Sequence, residues 1–114
     1  MIEKKANTNV PINEILAKRW SCRAFALDKP VSREEILSLC EAARWAPSCY
    51  GDEPWRFIIC DKNHNVTAYD KAFSCLGEWN QRWVKNVPVL IISMSYGKFR
   101  RNGKLNRWAQ YDTG

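Results

Sequence analysis

The chain has 114 residues, carries 18 Lys and Arg against 12 Asp and Glu, and has a formal net charge of +6. Its 46% hydrophobic and 26% charged residues are typical of one globular domain and exclude disordered, collagenous and coiled-coil proteins. The longest aliphatic stretch, residues 87–92, contains Pro88 and is far shorter than the roughly 20 apolar residues that cross a bilayer. The charged N-terminus also lacks the apolar region of a secretory signal, so the sequence predicts a cytoplasmic protein without a membrane partner.

The beginning of the chain predicts an arm, a short helix and an extended segment. Residues 1–11 are polar and aperiodic, which is typical of a flexible N-terminal arm. Apolar residues at helical spacing predict a short helix over residues 12–20. Residues 21–27 have no such spacing, and we interpret them as extended.

A second helix has a clear start and stop. Ser32 and Glu35 are spaced as a capping box, in which each side chain bonds the other's backbone N–H, and Pro47 closes the helix. The expected buried stripe consists of Ile36, Leu39, Cys40 and Ala43.

The second half of the chain predicts two strands with helical sequence between them. Residues 55–60 are rich in β-formers and end at a turn signal. Apolar residues recur at helical spacing over residues 66–83, with an interruption at Gly77. Residues 89–96 predict a strand buried on both faces, and a further helix begins around residue 106. Two strands are fewer than a free-standing sheet needs, so something else is expected to complete the core.

Cysteine and histidine usage indicates neither a disulfide framework nor a metal site. The five cysteines are an odd number without a C-x-x-C pair, and His64 is the single histidine. We interpret the cysteines as reduced thiols, mostly packed in the core. His64 lies in a polar turn and is expected to be exposed, so we predict no Cys–His or Ser–His nucleophile and no catalytic side chain.

The first candidate binding pattern consists of Arg19, Ser21 and Arg23. Alternate residues of an extended segment share a face, so two guanidinium groups can flank a hydroxyl. This arrangement suits a phosphate, which takes bidentate, charge-assisted hydrogen bonds from arginine. On spacing alone, a solvated polar strand face is the preferred interpretation of the pattern.

Two further patterns each have a functional and a structural interpretation. Residues 46–55 form a loop rich in backbone donors, where Gly51 allows close approach of a planar polar ring. Taken alone, this segment is better explained as an ordinary helix-stopping turn. Asn80 lies on the helical segment before the second strand, where its amide either reads a donor and acceptor edge or simply faces solvent.

Taken together, the order of motifs resembles the flavin-dependent nitroreductase family over residues 12–114. The similarity is carried, in chain order, by Arg19–Phe25, Ala42–Ser48, Pro54–Ile58, Asn80–Trp83, Pro88–Ile91, Asn106–Ala109 and Asp112–Gly114. The resemblance implies an α+β fold with helices packed on a mainly antiparallel sheet. It also implies that residues 12–114 are the N-terminal part of such a domain, incomplete at the C-terminus.

The resemblance assigns roles to individual residues. Arg19, Ser21 and Arg23 would hold the phosphate and ribityl chain of FMN, and Asn80 would read the isoalloxazine edge. The loop residues Pro47, Ser48 and Cys49 would contact the flavin of a partner subunit in a homodimer.

The implied reaction is ping-pong hydride transfer from NAD(P)H through the flavin to a nitro, quinone or related electrophilic substrate, with the cofactor supplying the chemistry. Glu53 departs from the family pattern, and a charged carboxylate near the flavin would lower the flavin's potential. Because family segments beyond Gly114 are lacking, we expect this chain to be inactive or impaired.

Two other functions stay open. No Asp or Glu occurs over residues 79–111, which carry seven Lys and Arg, so an anionic partner is expected. Basic residues interleave with Phe99 and Trp108 there, as in a single-stranded nucleic-acid groove, but we rank this below a solvated loop. The third interpretation is a folded fragment without catalytic activity.

Overall fold

The computed structural model describes residues 4–114, so the first three residues of the predicted arm lie outside the described part. This part contains five α-helices and two β-strands. In chain order these are α1 (Glu14–Lys18), α2 (Arg33–Arg44), β1 (Trp55–Asp61), α3 (Val66–Ser74), α4 (Glu78–Val84), β2 (Val89–Ser95) and α5 (Ala109–Thr113), with a single 3-10 turn at Cys49–Gly51. Each element that the sequence predicts is present, with bounds that differ by a few residues.

The two strands pair antiparallel, with Trp55 opposite Ser95 and Asp61 opposite Val89. The chain between them forms α3 and α4, and α3 packs against both strands. The final helix, α5, also packs against the sheet. The predicted α+β fold with an antiparallel sheet is therefore confirmed.

Side-chain caps fix the starts of α1, α2 and α3. The Ser32 N–H donates to the Glu35 carboxylate at 2.7 Å, and the Glu35 N–H donates to the Ser32 hydroxyl at 3.1 Å, which is the predicted capping box. The bond from the Ser32 N–H holds the pKa of Glu35 below its usual value. Asn65 caps α3 through the Ala68 N–H, and Gly77 separates α3 from α4 as the N-cap of α4.

Tyr69 is the main buried polar anchor between α3 and the end of α4. It is 2% exposed, and its hydroxyl lies 3.0 Å from the Val84 carbonyl and 2.8 Å from the Val87 carbonyl. These carbonyls belong to the last turn of α4 and the residues after it, where intrahelical donors run out. Burial raises the pKa of Tyr69, which keeps the hydroxyl protonated as a donor.

Much apolar surface stays open in this fold. The prediction that the second strand is buried on both faces is wrong, because Ile91 and Ile92 point to opposite faces and are 44% and 42% exposed. The predicted stripe of α2 is also largely open: Ile36 is buried, whereas Leu39 is 59% exposed. The physical reason is that a two-stranded sheet with short helices offers too few packing partners to cover both faces.

The dimensions agree with this open character. The solvent-accessible surface is 9471 Å², whereas a compact chain of this mass exposes about 6,400 Å². The radius of gyration is 17.1 Å, against about 13 Å for a compact domain of this length. The chain therefore exposes roughly 3,000 Å² more surface than a compact domain of its mass.

The cysteines differ from the expectation in one respect. The described cysteines are all free thiols, but only Cys60 is buried, and Cys75 is exposed. The interpretation that most of them pack in the core is therefore wrong, because the surfaces that carry the others are not covered.

Within residues 4–114, no helix is both long enough and apolar enough to cross a membrane.

We expect Tyr69→Phe to destabilise the fold by about 1–3 kcal/mol, because it conserves the ring but removes the hydroxyl that donates to the Val87 carbonyl; the Val84 carbonyl keeps the Val87 N–H as a donor. Urea denaturation monitored by tryptophan fluorescence measures the change. Tyr111→Phe is the matched control, since Tyr111 is 85% exposed and removal of its hydroxyl should leave stability unchanged. Equal midpoints for Tyr69→Phe and the unmodified chain would contradict the assignment of this anchor.

Candidate functional site

The predicted phosphate cradle is exposed and carries uncompensated positive charge. Arg19 ends α1 with an extended backbone, and the following residues continue without regular secondary structure. Arg19, Ser21 and Arg23 are all exposed, while Cys22 between them is partly buried. Within residues 4–114, neither arginine forms an ion pair with a carboxylate. Two guanidinium groups and a hydroxyl are thus free to receive an anion.

An aromatic contact joins this cradle to the helix that carries Asn80. Phe25 stacks on Trp83 of α4 with ring centroids 6.0 Å apart and planes 14° apart. The Trp83 indole N–H in turn donates to the Asn80 side-chain oxygen at 3.3 Å. The structure therefore brings the chain just after Arg23 next to the helix of Asn80, and Asn80 keeps its side-chain NH₂ available as a donor.

The loop at residues 47–53 adopts a conformation that side chains rarely take. Tyr50, Gly51 and Glu53 have φ angles of 57°, 62° and 49°. Only glycine adopts this left-handed region freely, so the two other residues need surrounding interactions to hold them there. A Cβ at Gly51 would meet nothing within 4 Å, so the glycine serves the turn geometry.

Two carboxylates, one in the loop and one in α5, hold the loop against the C-terminal segment. The Cys49 N–H donates to Asp112 Oδ2 at 2.9 Å, and the Arg100 N–H donates to Asp52 Oδ1 at 2.9 Å. Asp52 is buried, and its second oxygen has no partner within the described chain. Because hydrogen bonds to charged groups are about twice as strong as neutral ones, these bonds can offset the strain of the loop.

Most backbone N–H groups of the loop already have acceptors, and three of them bond within the loop itself. The Glu53 N–H donates to the Ser48 hydroxyl at 3.0 Å, while the Gly51 and Asp52 N–H groups donate to the Ser48 and Cys49 carbonyls. The expectation of a loop rich in free backbone donors is therefore wrong for these positions. A ligand at Pro47, Ser48 and Cys49 would therefore contact mainly side chains, because few backbone N–H groups of the loop are free to donate to it.

The carboxylate of Glu53 lies between two arginines. Its oxygens are 3.6 Å from the Arg44 guanidinium and 4.0 Å from that of Arg100. Arg44 also forms a bidentate pair with Glu41 at 2.7 and 2.9 Å, which lowers the pKa of Glu41 to about 2. The negative charge of Glu53 therefore has two positive charges beside it.

His64 lies apart from all these residues. Its side chain is 72% exposed, and Nδ1 is 2.7 Å from Asp61 Oδ2. Burial raises the pKa of Asp61, but hydrogen bonds from Asn63 and His64 outweigh it and leave the pKa below its usual value. The prediction of an exposed histidine is confirmed.

Among residues 4–114, no three potential metal-ligating side chains come together.

The predicted site residues thus fall into two groups within one chain. The cradle and Asn80 are linked through Phe25 and Trp83. Pro47, Ser48 and Cys49 lie on a separate loop, and no hydrogen bond or ion pair within residues 4–114 joins that loop to the cradle. Sequence reasoning missed Asp52 and Asp112 as supports of the loop, because their partners are 48 and 63 residues away and have no local signature.

The structure is an α+β fold in which Arg19, Ser21 and Arg23 are exposed and, within residues 4–114, have no carboxylate partner. A family model described as "Nitroreductase family" matches residues 16–77, more than half of the chain. The chain therefore belongs to the nitroreductase family.

Named relatives agree with this assignment. The major NAD(P)H-flavin oxidoreductase of Aliivibrio fischeri is 28% identical over 82 residues, which is 72% of this chain and 38% of that protein. The oxygen-insensitive NADPH nitroreductase of Helicobacter acinonychis is 37% identical over 85 residues, covering 72% and 37% of the two chains.

A solved structure of an oxidoreductase containing FMN is 30% identical with a TM-score of 0.85. The alignment covers 100% of this chain and 58% of the chain of the solved structure. The chain thus spans less than two fifths of the length of the two named relatives.

We expect Asp112→Ala to release the loop, because the Cys49 N–H loses its acceptor. Hydrogen exchange of the Cys49 amide, measured by NMR, should accelerate at least about tenfold. Asp112→Asn should retain most of the protection, since its side-chain oxygen can accept the same bond. Asp70→Ala, at an exposed position of α3, is the control that should leave this amide unchanged. Unaltered protection in Asp112→Ala would show that the loop is held by other contacts.

Proposed function

We propose that this chain binds FMN and serves an NAD(P)H-dependent flavin oxidoreductase that reduces nitro, quinone or related electrophilic compounds. The observation that carries the proposal is the unpaired cradle of Arg19, Ser21 and Arg23, at the position where the family resemblance assigns the flavin phosphate. Membership in the nitroreductase family and the similarity to an FMN-containing oxidoreductase support the flavin as cofactor.

The chemistry of the cradle fits a phosphate monoester. Two guanidinium groups provide forked donors, the Ser21 hydroxyl adds a third, and no acidic side chain within residues 4–114 competes for the arginines. The free NH₂ of Asn80 fits a carbonyl acceptor on a heterocyclic ring. These groups bind and orient a ligand and need not change protonation during the reaction.

FMN, when bound, would supply the two-electron chemistry between NAD(P)H and the electrophilic acceptor. The protein's part would be to hold the phosphate at Arg19 and Arg23, orient the ring edge at Asn80 and exclude water on the side of the loop at residues 47–53. No side chain is proposed as a nucleophile, and the cytoplasmic location stays a prediction.

A homodimer would bring the two groups of site residues together. The loop of Pro47, Ser48 and Cys49 has no bond to the cradle of its own chain, which favours contact with the cradle of a second copy. The roughly 3,000 Å² of excess surface on one chain is larger than the roughly 800 Å² that each partner buries in an interface of standard size. The exposed apolar residues of α2 and β2 provide the apolar character that such interfaces need.

We expect Arg23→Ala to weaken FMN binding by about 1.5–3 kcal/mol, the contribution of a hydrogen bond to a charged group. Riboflavin, which lacks the phosphate, should lose much less affinity. Isothermal titration calorimetry with both flavins measures the difference. Arg33→Ala removes an exposed arginine from the start of α2 and should affect neither flavin. Equal losses for FMN and riboflavin would contradict the phosphate assignment.

We also expect the 114-residue chain by itself to turn over poorly. Hydride transfer needs reactants held about 3–3.5 Å apart, and an exposed cradle without a contacting loop does not impose that geometry. NADPH-dependent reduction of a nitroaromatic compound, followed by absorbance with added FMN, measures this activity. Turnover at the usual enzyme scale of about 1–1,000 per second would show that residues 1–114 contain a complete site.

A further inference from the structure

A basic hairpin lies beside the loop at residues 47–53. Residues 97–106 form this hairpin, with Lys98 bridged to Leu105 and the Phe99 N–H donating to the Lys104 carbonyl at 2.9 Å. Gly103 closes the turn at a φ of 69°, with its N–H bonded to the Phe99 carbonyl at 2.8 Å. The tip therefore presents Arg100, Arg101 and Lys104 on a defined backbone.

The tip is fixed to the loop by three contacts. Asp52 accepts the Arg100 N–H, and Glu53 lies 4.0 Å from the Arg100 guanidinium. Phe99 is buried, and its ring meets the edge of Tyr50 with centroids 5.8 Å apart. The hairpin and the loop thus form one unit, in which the positions of the tip side chains are set in advance of binding.

Arg101 is the unusual residue of this unit. Its guanidinium carbon lies 3.9 Å from the ring centroid of Tyr50 and 5.4 Å from that of Phe99. Within residues 4–114, no carboxylate oxygen lies within ion-pair distance of Arg101. A guanidinium held against an aromatic ring keeps its N–H donors free at its edge and loses less rotamer freedom when it binds a ligand.

We propose that Arg101, supported by Tyr50 and with Arg100 beside it, binds the 2′-phosphate of NADPH and so selects NADPH over NADH. This assignment rests on the proposed function for the reaction, but the binding chemistry stands on the hairpin alone. An uncompensated arginine fork binds a phosphate through two parallel hydrogen bonds, and the 2′-phosphate is the group that distinguishes the two reductants. Tyr50 directly follows Cys49, so the hairpin borders the loop that we assign to the flavin.

The experiment compares two nucleotides with the same number of phosphates. 2′,5′-ADP carries the 2′-phosphate, whereas 5′-ADP lacks it. Isothermal titration calorimetry of the 114-residue chain should show about tenfold tighter binding of 2′,5′-ADP. Arg101→Ala should remove this preference, and Arg101→Lys should restore part of it, because lysine keeps the charge without the fork.

Arg82→Ala is the matched control. Arg82 is an exposed arginine on α4 whose guanidinium lies 5.4 Å from the Trp79 ring centroid, so the variant removes the same charge and the same kind of stacking elsewhere. It should leave the preference for 2′,5′-ADP intact. Tyr50→Leu, which removes the aromatic support and keeps Arg101, should weaken 2′,5′-ADP binding severalfold.

Three results would overturn the proposal: equal affinity for the two nucleotides, equal losses in Arg101→Ala and Arg82→Ala, or nanomolar binding of single-stranded oligonucleotide that persists above about 0.15 M salt and depends on Arg101. The last result would favour a nucleic-acid surface, to which Arg107 stacked 4.0 Å from the Trp108 centroid would contribute. Titration of the same preparations with FMN tests the proposed function separately. If the chain binds FMN but does not discriminate between the two nucleotides, only the hairpin assignment is contradicted. If it prefers 2′,5′-ADP but does not bind FMN, only the flavin proposal is contradicted.

Discussion

The arrangement of the candidate site depends on two carboxylates that bond backbone N–H groups far away in the sequence. Asp112 holds the amide of Cys49, and Asp52 holds the amide of Arg100. These bonds fix the loop at residues 47–53, the basic hairpin and α5 relative to one another. The loop contains two non-glycine residues at positive φ, a conformation that costs free energy and persists only when several interactions fix it.

The open surface and the divided site have a common physical basis. The sheet of β1 and β2 has two faces and only a few short helices to cover them, so apolar residues such as Ile91 and Leu39 stay in contact with water. At about 25 cal/mol per Å² of apolar area, covering even part of the roughly 3,000 Å² excess would contribute substantially to stability. Packing of other protein against these surfaces would therefore stabilise the fold.

The sequence allowed the elements to be predicted well, because their signals are local. The capping box of Ser32 and Glu35, the interruption at Gly77 and the β-rich run before Asp61 each depend on neighbouring residues, and the structure contains all three features. The prediction that β2 is buried on both faces was wrong. An apolar run shows that a strand tends to be buried, but its burial depends on whether other segments pack against it.

The carboxylate supports could not be predicted for a related reason. Nothing in the local pattern around Asp112 or Asp52 indicates a partner 63 or 48 residues away. The donor-rich loop was misjudged on the same basis, since composition counts N–H groups but does not show which of them already have acceptors. The roles of Arg19, Ser21, Arg23 and Asn80 stay predictions, supported by exposure and by the absence of competing carboxylates in the described chain.

The charges around the loop change the expected electrostatics of the site. From the sequence alone, Glu53 suggested a negative charge that would oppose electron uptake by a nearby flavin. In the structure its carboxylate lies between Arg44 and Arg100, and Arg101 adds a further positive charge on the other side of Tyr50. The loop and hairpin together therefore present a net positive charge. A positive field beside a flavin favours its anionic reduced form and also attracts a phosphorylated reductant, so one cluster of arginines could serve both steps of the proposed reaction.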